Sequence, residues 1–134
     1  MTHTVTKQIG FCYGHRLMDY VGKCQHPHGH NGLAEITVKA DRLDSRGMVV
    51  DFGDIKRAVK AWIDQNLDHR MLLRHDDPLL SVLQGMGEPV FVMADNPTAE
   101  NIARAIYEQA AREGLAVAEV RLWETPDSHA VYSA

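Results

Sequence analysis

The segment LAEITVKA, Leu33–Ala40, alternates with a period of two: Leu33, Glu35, Thr37 and Lys39 fall on one side, Ala34, Ile36 and Val38 on the other. Successive residues of a strand point to opposite faces. The pattern therefore predicts a strand from His30 to about Ala40 with one buried and one polar face, as in an antiparallel sheet wetted on one side. Such a sheet needs a cover for its apolar face, and two helical stripes supply it. Ile55, Ala58, Val59, Trp62, Ile63 and Leu67 recur at three- and four-residue spacing, as do Ile102, Ala103, Ile106, Tyr107 and Ala110. Asp54 is the expected N-cap of the first helix; Pro97 or Thr98 opens the second and Gly114 stops it.

Further strands are expected from about Val5 to His15, over VAEVRLWET, over HAVYS and, briefly, within GEPVFVMADN. DPLLSVLQGM reads as a short helix closed by Gly85 or Gly87, and NLDHRMLLRHDD as the least regular stretch. Strands before, between and after two long helices predict an α+β fold, an antiparallel sheet with both helices on one face. The 134 residues are expected to form one domain, 1–134, long enough to bury a core unaided.

A net charge of −4 argues against a nucleic-acid partner, while leaving room for a local cationic pocket that takes a small anion. No apolar run approaches the roughly 20 residues that cross a bilayer, so no membrane partner is expected. MTHTVTKQIG has neither the basic start nor the apolar stretch of a secretory signal. Cys12 and Cys24 are expected to stay reduced, and the protein to be cytoplasmic.

The segment CQHPHGH, Cys24–His30, concentrates metal-ligand chemistry. His28 and His30 are two apart on a strand and can address one ion, and Gly29 leaves the reverse face open to close approach. His15, at the end of the first strand, is the best third ligand, giving an imidazole set suited to zinc. His26 shares their parity, but Pro27 interrupts the strand there, so His26 is expected in solvent. Cys24 admits two roles. As a fourth ligand it would close a structural site; outside the shell it would leave an open position and serve as a base, since the thiolate is favoured beside a cation. Spacing does not choose between them. Cys12, between Phe11 and Tyr13, is expected to be a small buried residue.

FCYGHRL, KC followed after three residues by HGHN, LDH, NPTAEN and WET, in that order from about residue 8 to 132, resemble the 6-pyruvoyl-tetrahydropterin synthase family. Its bacterial branch, the 6-carboxytetrahydropterin synthases of the queuosine pathway, is the nearer in MVVDFGDIK. The resemblance implies a T-fold, with an antiparallel four-stranded sheet and two long helices packed on one face, assembled as trimers stacked into a hexamer with sites between subunits. It implies a catalytic Zn2+ on His15, His28 and His30, with Cys24 as proton acceptor. His69 with Asp68 would partner that cysteine, and Glu124 would anchor the pterin ring and join the relay. The substrate would be a pterin triphosphate, dihydroneopterin triphosphate, and the products 6-carboxy-tetrahydropterin, acetaldehyde and triphosphate. Two alternatives stand beside this lyase: the pyruvoyl-forming synthase of the biopterin route, and a non-catalytic zinc- or pterin-binding module.

Glu124 shares its strand face with Val120 and Leu122, and a carboxylate continuing an apolar face is costly without a partner. Thr98 is first a helix cap and second a pterin contact. Lys23, Arg16 and Lys39 are candidates for the triphosphate, and His75 is expected in a loop. Two departures from the family stand out. Many members have F-x-A-A-H where this chain has Phe11-Cys12-Tyr13-Gly14-His15, and HDDPLLSVLQGMGEPVFVM is a long connection.

Overall fold

In the computed structural model, which describes residues 2–134, two 13-residue strands form the centre of the molecule. Strand β1 (His3–His15) pairs antiparallel with β2 (His28–Ala40) over their whole length, from His3 opposite Ala40 to His15 opposite His28. The alternation predicted for β2 is present: Ala34, Ile36 and Val38 are buried while Leu33, Glu35 and Thr37 are half-buried. On β1 the buried side carries Ile9, Phe11, Tyr13 and His15. The other side is laced by polar pairs, Thr6 Oγ1 to Thr37 Oγ1 at 2.8 Å and the Gln8 amide donating to Glu35 at 3.1 Å.

The buried face is covered by α1 (Phe52–Asn66) and α3 (Ala99–Arg112). Helix α1 packs on β1, and α3 on β5 (Val117–Thr125) and β6 (Ser128–Tyr132). Ile55, Val59, Ile63, Ile102 and Ile106 are fully buried in one cluster with Ile36, Val120 and Leu122. Each such side chain contributes about 1.5–3 kcal/mol by leaving water. No helix among the described residues is long and apolar enough to cross a membrane.

The expected α+β arrangement is therefore present, with corrections in detail. The sheet has six strands rather than four, in the order β4-β3-β1-β2-β5-β6, and it is mixed. Strands β3 (Arg70–Arg74) and β4 (Val90–Met93) add to the β1 edge in parallel, β3 on β1 and β4 on β3. β3 lies inside the stretch expected to be irregular. Its Leu72 and Leu73 are adjacent and both fully buried, so no alternation advertises it; parallel strands are commonly covered on both faces. A third, short helix, α2 (Pro78–Gly85), joins β3 to β4.

Helix starts follow side-chain caps. Asp77 caps α2 by accepting from Leu79 N at 2.8 Å, and Thr98 caps α3 by accepting from Asn101 N at 3.2 Å. Gly114, at φ 89°, follows the end of α3. The cap of α1 is Asp51, not Asp54: Asp51 accepts from Gly53 N at 2.7 Å, and Asp54 lies in the first turn, paired with Arg57. Gly53, a residue that normally interrupts helices, disguises this earlier start. Asp51→Ala should lower stability to urea by about 1 kcal/mol, and Asp54→Ala by clearly less. Equal losses, or the reverse order, would contradict the assigned cap.

Candidate metal and active site

The β1–β2 register sets His15 directly opposite His28, with Tyr13 opposite His30. All three imidazoles lie on the core face, beyond the last aliphatic layer. Their ring centroids are 4.5 Å apart for His15–His28, 5.1 Å for His15–His30 and 5.0 Å for His28–His30. One nitrogen from each lies within 4.8 Å of the others.

Two of the rings are oriented from behind by backbone carbonyls. His15 Nδ1 is 2.6 Å from the Pro97 carbonyl and His28 Nδ1 is 2.8 Å from that of His26. A carbonyl only accepts, so each Nδ1 carries the proton and each Nε2 presents its lone pair. The Nε2 atoms of His15 and His30 are buried and have no hydrogen-bond partner. Orphaned buried acceptors are uncommon because they forfeit solvation without replacement. Burial pushes the His15 pKa down to about 4, against the Pro97 bond and with help from His28 and His30. It is therefore neutral at physiological pH, the state a metal needs. Converging imidazoles, two of them with buried and unpartnered Nε2 atoms, fit a zinc ion.

Glu124 faces this cluster from β5. Its two oxygens lie 4.0 Å from His15 Nε2 and 4.0 Å from His30 Nε2, and it shares its face with buried Val120 and Leu122 as expected. Tyr13 lies beneath, its ring 5.2 Å from that of His15 and 5.6 Å from that of His30. Burial, then the charge of Glu124, raises its pKa well above the ordinary phenol value.

A second cluster gathers Cys12, Asp68 and His69. Asp68 accepts from Cys12 N at 3.0 Å and meets His69 Nδ1 at 2.8 Å, while His69 N donates to the Cys12 carbonyl at 2.7 Å. Burial works to raise the Asp68 pKa, but these donors outweigh it and hold it below the usual carboxylate range. His69 has φ 57°, the left-handed region. The expectation of a buried Cys12 is corrected: the side chain is half-exposed on the reverse face of β1, opposite in parity to Tyr13 and His15. It lines an open cleft of about 650 Å3 with His69 and Met71, floored by the paired Gly14 and Gly29. A Cβ on Gly14 would come within 2.7 Å of the Met71 sulfur.

The two clusters are thus distinct, and Cys24 belongs to neither. It sits half-buried in a single 3-10 turn, Lys23–Gln25, where its carbonyl accepts from Leu17 N at 2.8 Å. Lys23 and His26 are exposed, the latter as expected, and so is His75 in its turn. Thr98 is occupied as the cap of α3. Arg16, a phosphate candidate, is instead committed to the buried Asp77, with Nε–H donating at 2.8 Å and Nη2 paired alongside. Sequence reasoning missed two supports, Asn96 and the Pro97 carbonyl. The Asn96 side chain clasps both Met18 N (2.8 Å) and Met18 O (2.7 Å), pinning the loop that follows β1. Their signal was the NPT run before α3, which reads from sequence only as a helix start.

Residues 4–134 match the sequence profile of the family described as 6-pyruvoyl tetrahydropterin synthase. A Rickettsia conorii protein named 6-carboxy-5,6,7,8-tetrahydropterin synthase is 38% identical over 129 residues, covering 91% of this chain and 94% of its own. A Haemophilus influenzae protein of the same name is 32% identical over 136 residues, 96% of each chain. Among solved structures, an uncharacterized protein of Wolinella succinogenes superposes with a TM-score of 0.84 at 26% identity, covering 99% of this chain and 98% of that one. Caenorhabditis elegans 6-pyruvoyl tetrahydropterin synthase shares the fold, with a TM-score of 0.75 at 21% identity over 100% and 96% of the chains.

The depressed His15 pKa has a consequence for stability. Between pH 6.5 and about 4 the unfolded chain protonates this ring and the native chain does not, so metal-free protein loses stability as pH falls through that window. The loss attributable to His15 is on the order of 3 kcal/mol. Between pH 6.5 and 4 in chelator, the urea midpoint of wild type should fall further than that of His15→Gln. An unchanged difference would show that His15 is not held neutral.

Proposed function

Because this chain belongs to the 6-pyruvoyl tetrahydropterin synthase family, we propose that it is a zinc-dependent lyase that acts on 7,8-dihydroneopterin triphosphate. With one water, the products are 6-carboxy-5,6,7,8-tetrahydropterin, acetaldehyde and triphosphate, a step toward 7-deazaguanine (queuosine) compounds in the cytoplasm. The observation that carries this reading is the trio of converging imidazoles with two orphaned Nε2 atoms and Glu124 facing them. The names of the bacterial relatives support the carboxy-forming branch.

Bound at His15, His28 and His30 with one coordination position open, zinc would polarise oxygens of the substrate side chain and acidify the adjacent C–H bonds. The chain's own groups would do the rest. The Glu124 carboxylate offers two acceptor oxygens to neighbouring N–H donors on the pterin edge, which fixes the ring. The Cys24 thiolate takes a proton from a side-chain carbon and returns it. His69 exchanges that proton with solvent; Asp68, bonded to His69 Nδ1, leaves Nε2 directed outward for the transfer. Thr98 and the exposed Lys23 are the further substrate contacts of this reading, Lys23 toward the triphosphate.

Cys12 and His69 open onto the reverse face of β1, and the three histidines onto the core face. On this reading the chain works as a homo-oligomer, a hexamer built from two trimers as the family resemblance implies, in which His69 of one copy serves Cys24 of the next.

Zinc-loaded protein incubated with dihydroneopterin triphosphate should release acetaldehyde; triphosphate release without acetaldehyde would instead indicate the pyruvoyl-forming reaction. Cys24→Ala should keep its metal and lose roughly 10²–10⁴-fold in turnover. X-ray absorption should find only nitrogen and oxygen around the ion. A sulfur at about 2.3 Å, with metal lost in Cys24→Ala, would replace the lyase by a structural zinc module.

A further inference from the structure

The hydroxyl of Tyr13 takes no part in the chemistry above, yet the fold makes a place for it. Tyr13 is 3% exposed and its hydroxyl oxygen is buried without a hydrogen-bond partner. The ring lies across β2 at Gly32: a Cβ there would sit 2.9 Å from Tyr13 Cε1 and 3.5 Å from Cδ1. Gly32 is opposite Phe11 on β1, whose ring stacks on Tyr13 with centroids 5.3 Å apart. On its other side, Gly32 is one residue before Leu33, and Glu124 one residue after Trp123, in a register that pairs Leu33 with Trp123. The missing side chain at Gly32 thus lets the phenol reach from β1 under β2 toward Glu124 on β5. Its ring is walled by His15 and His30.

An orphaned hydroxyl in such a place is unfavourable, and Glu124, near enough to raise the phenol's pKa, does not bond it. The missing partner is then supplied from outside. We propose that Tyr13 is a specificity-determining residue whose hydroxyl hydrogen-bonds the ligand oxygen on the side-chain carbon next to the pterin ring. Resting on the reading above, this location follows from the two ends of the site. The pterin ring would be held at Glu124 and the outer side chain at the histidines, and the Tyr13 ring packs against His15 and His30, each 4.0 Å from Glu124. The residue reads a hydroxylated chain, not the ring.

The test compares two stable probes on the assembled, zinc-loaded protein by fluorescence titration: neopterin, which carries the trihydroxypropyl chain, and pterin, which lacks it. Tyr13→Phe keeps the ring over Gly32 and removes only the oxygen. It should weaken neopterin binding about three- to tenfold, the size of one neutral hydrogen bond, and leave pterin binding unchanged. The melting temperature of the ligand-free variant should equal or exceed that of wild type. Gly32→Ala, which displaces the ring, should show the same selective loss. Equal weakening of both probes, no weakening of either, or a fall in ligand-free melting temperature for Tyr13→Phe would overturn the proposal. If wild type binds neither probe, the pterin reading itself fails and Tyr13 loses its assigned role with it.

Discussion

The whole site depends on the register of one pair of strands. Thirteen residues of β1 lie against thirteen of β2, and the last pair brings His15 and His28 face to face. Side chains alternate strictly along a strand, so a slip of one residue would carry His28 and His30 to the opposite face and bury Glu35, Thr37 and Lys39 instead. The apolar set Ala34, Ile36 and Val38 under α1 and α3 makes that slip prohibitively unfavourable. Hydrophobic burial at one end of the sheet thereby positions imidazoles at the other.

Helix α3 supports the site as well as the core. Its apolar stripe fixes it on β5 and β6, and the chain entering it presents the Pro97 carbonyl to His15. Thr98 then starts the helix, while Asn96 clasps Met18 and fixes the loop that leads toward Cys24. Three adjacent residues therefore orient the His15 ring, open a helix and anchor a loop. The same economy appears on the reverse face, where the turn after α1 bonds Asp68 and His69 to the backbone of Cys12.

Polar groups left without partners are rare in a folded chain, and here they are concentrated around one point. The Nε2 atoms of His15 and His30 and the hydroxyl of Tyr13 make up most of the orphaned buried side-chain atoms among the described residues. Their cost is borne by the surrounding sheet and helices. The three atoms share one neighbourhood, the one that Glu124 also faces.

The sequence by itself determined the long strands, both amphipathic helices, the shared parity of His28 and His30 and the placing of Glu124 on an apolar face. Each of these follows from periodicity within a few residues of chain. It left β3 hidden, because Leu72 and Leu73 are buried together and show no period, and it shifted the α1 cap to Asp54, because Gly53 masks the start at Asp51. Only the tertiary structure decided that Cys12 joins His69 rather than the core, that Arg16 is committed to Asp77, and that the Tyr13 ring passes over Gly32. Those facts arise from contacts between segments distant in the chain, and local pattern carries no record of which distant surfaces meet.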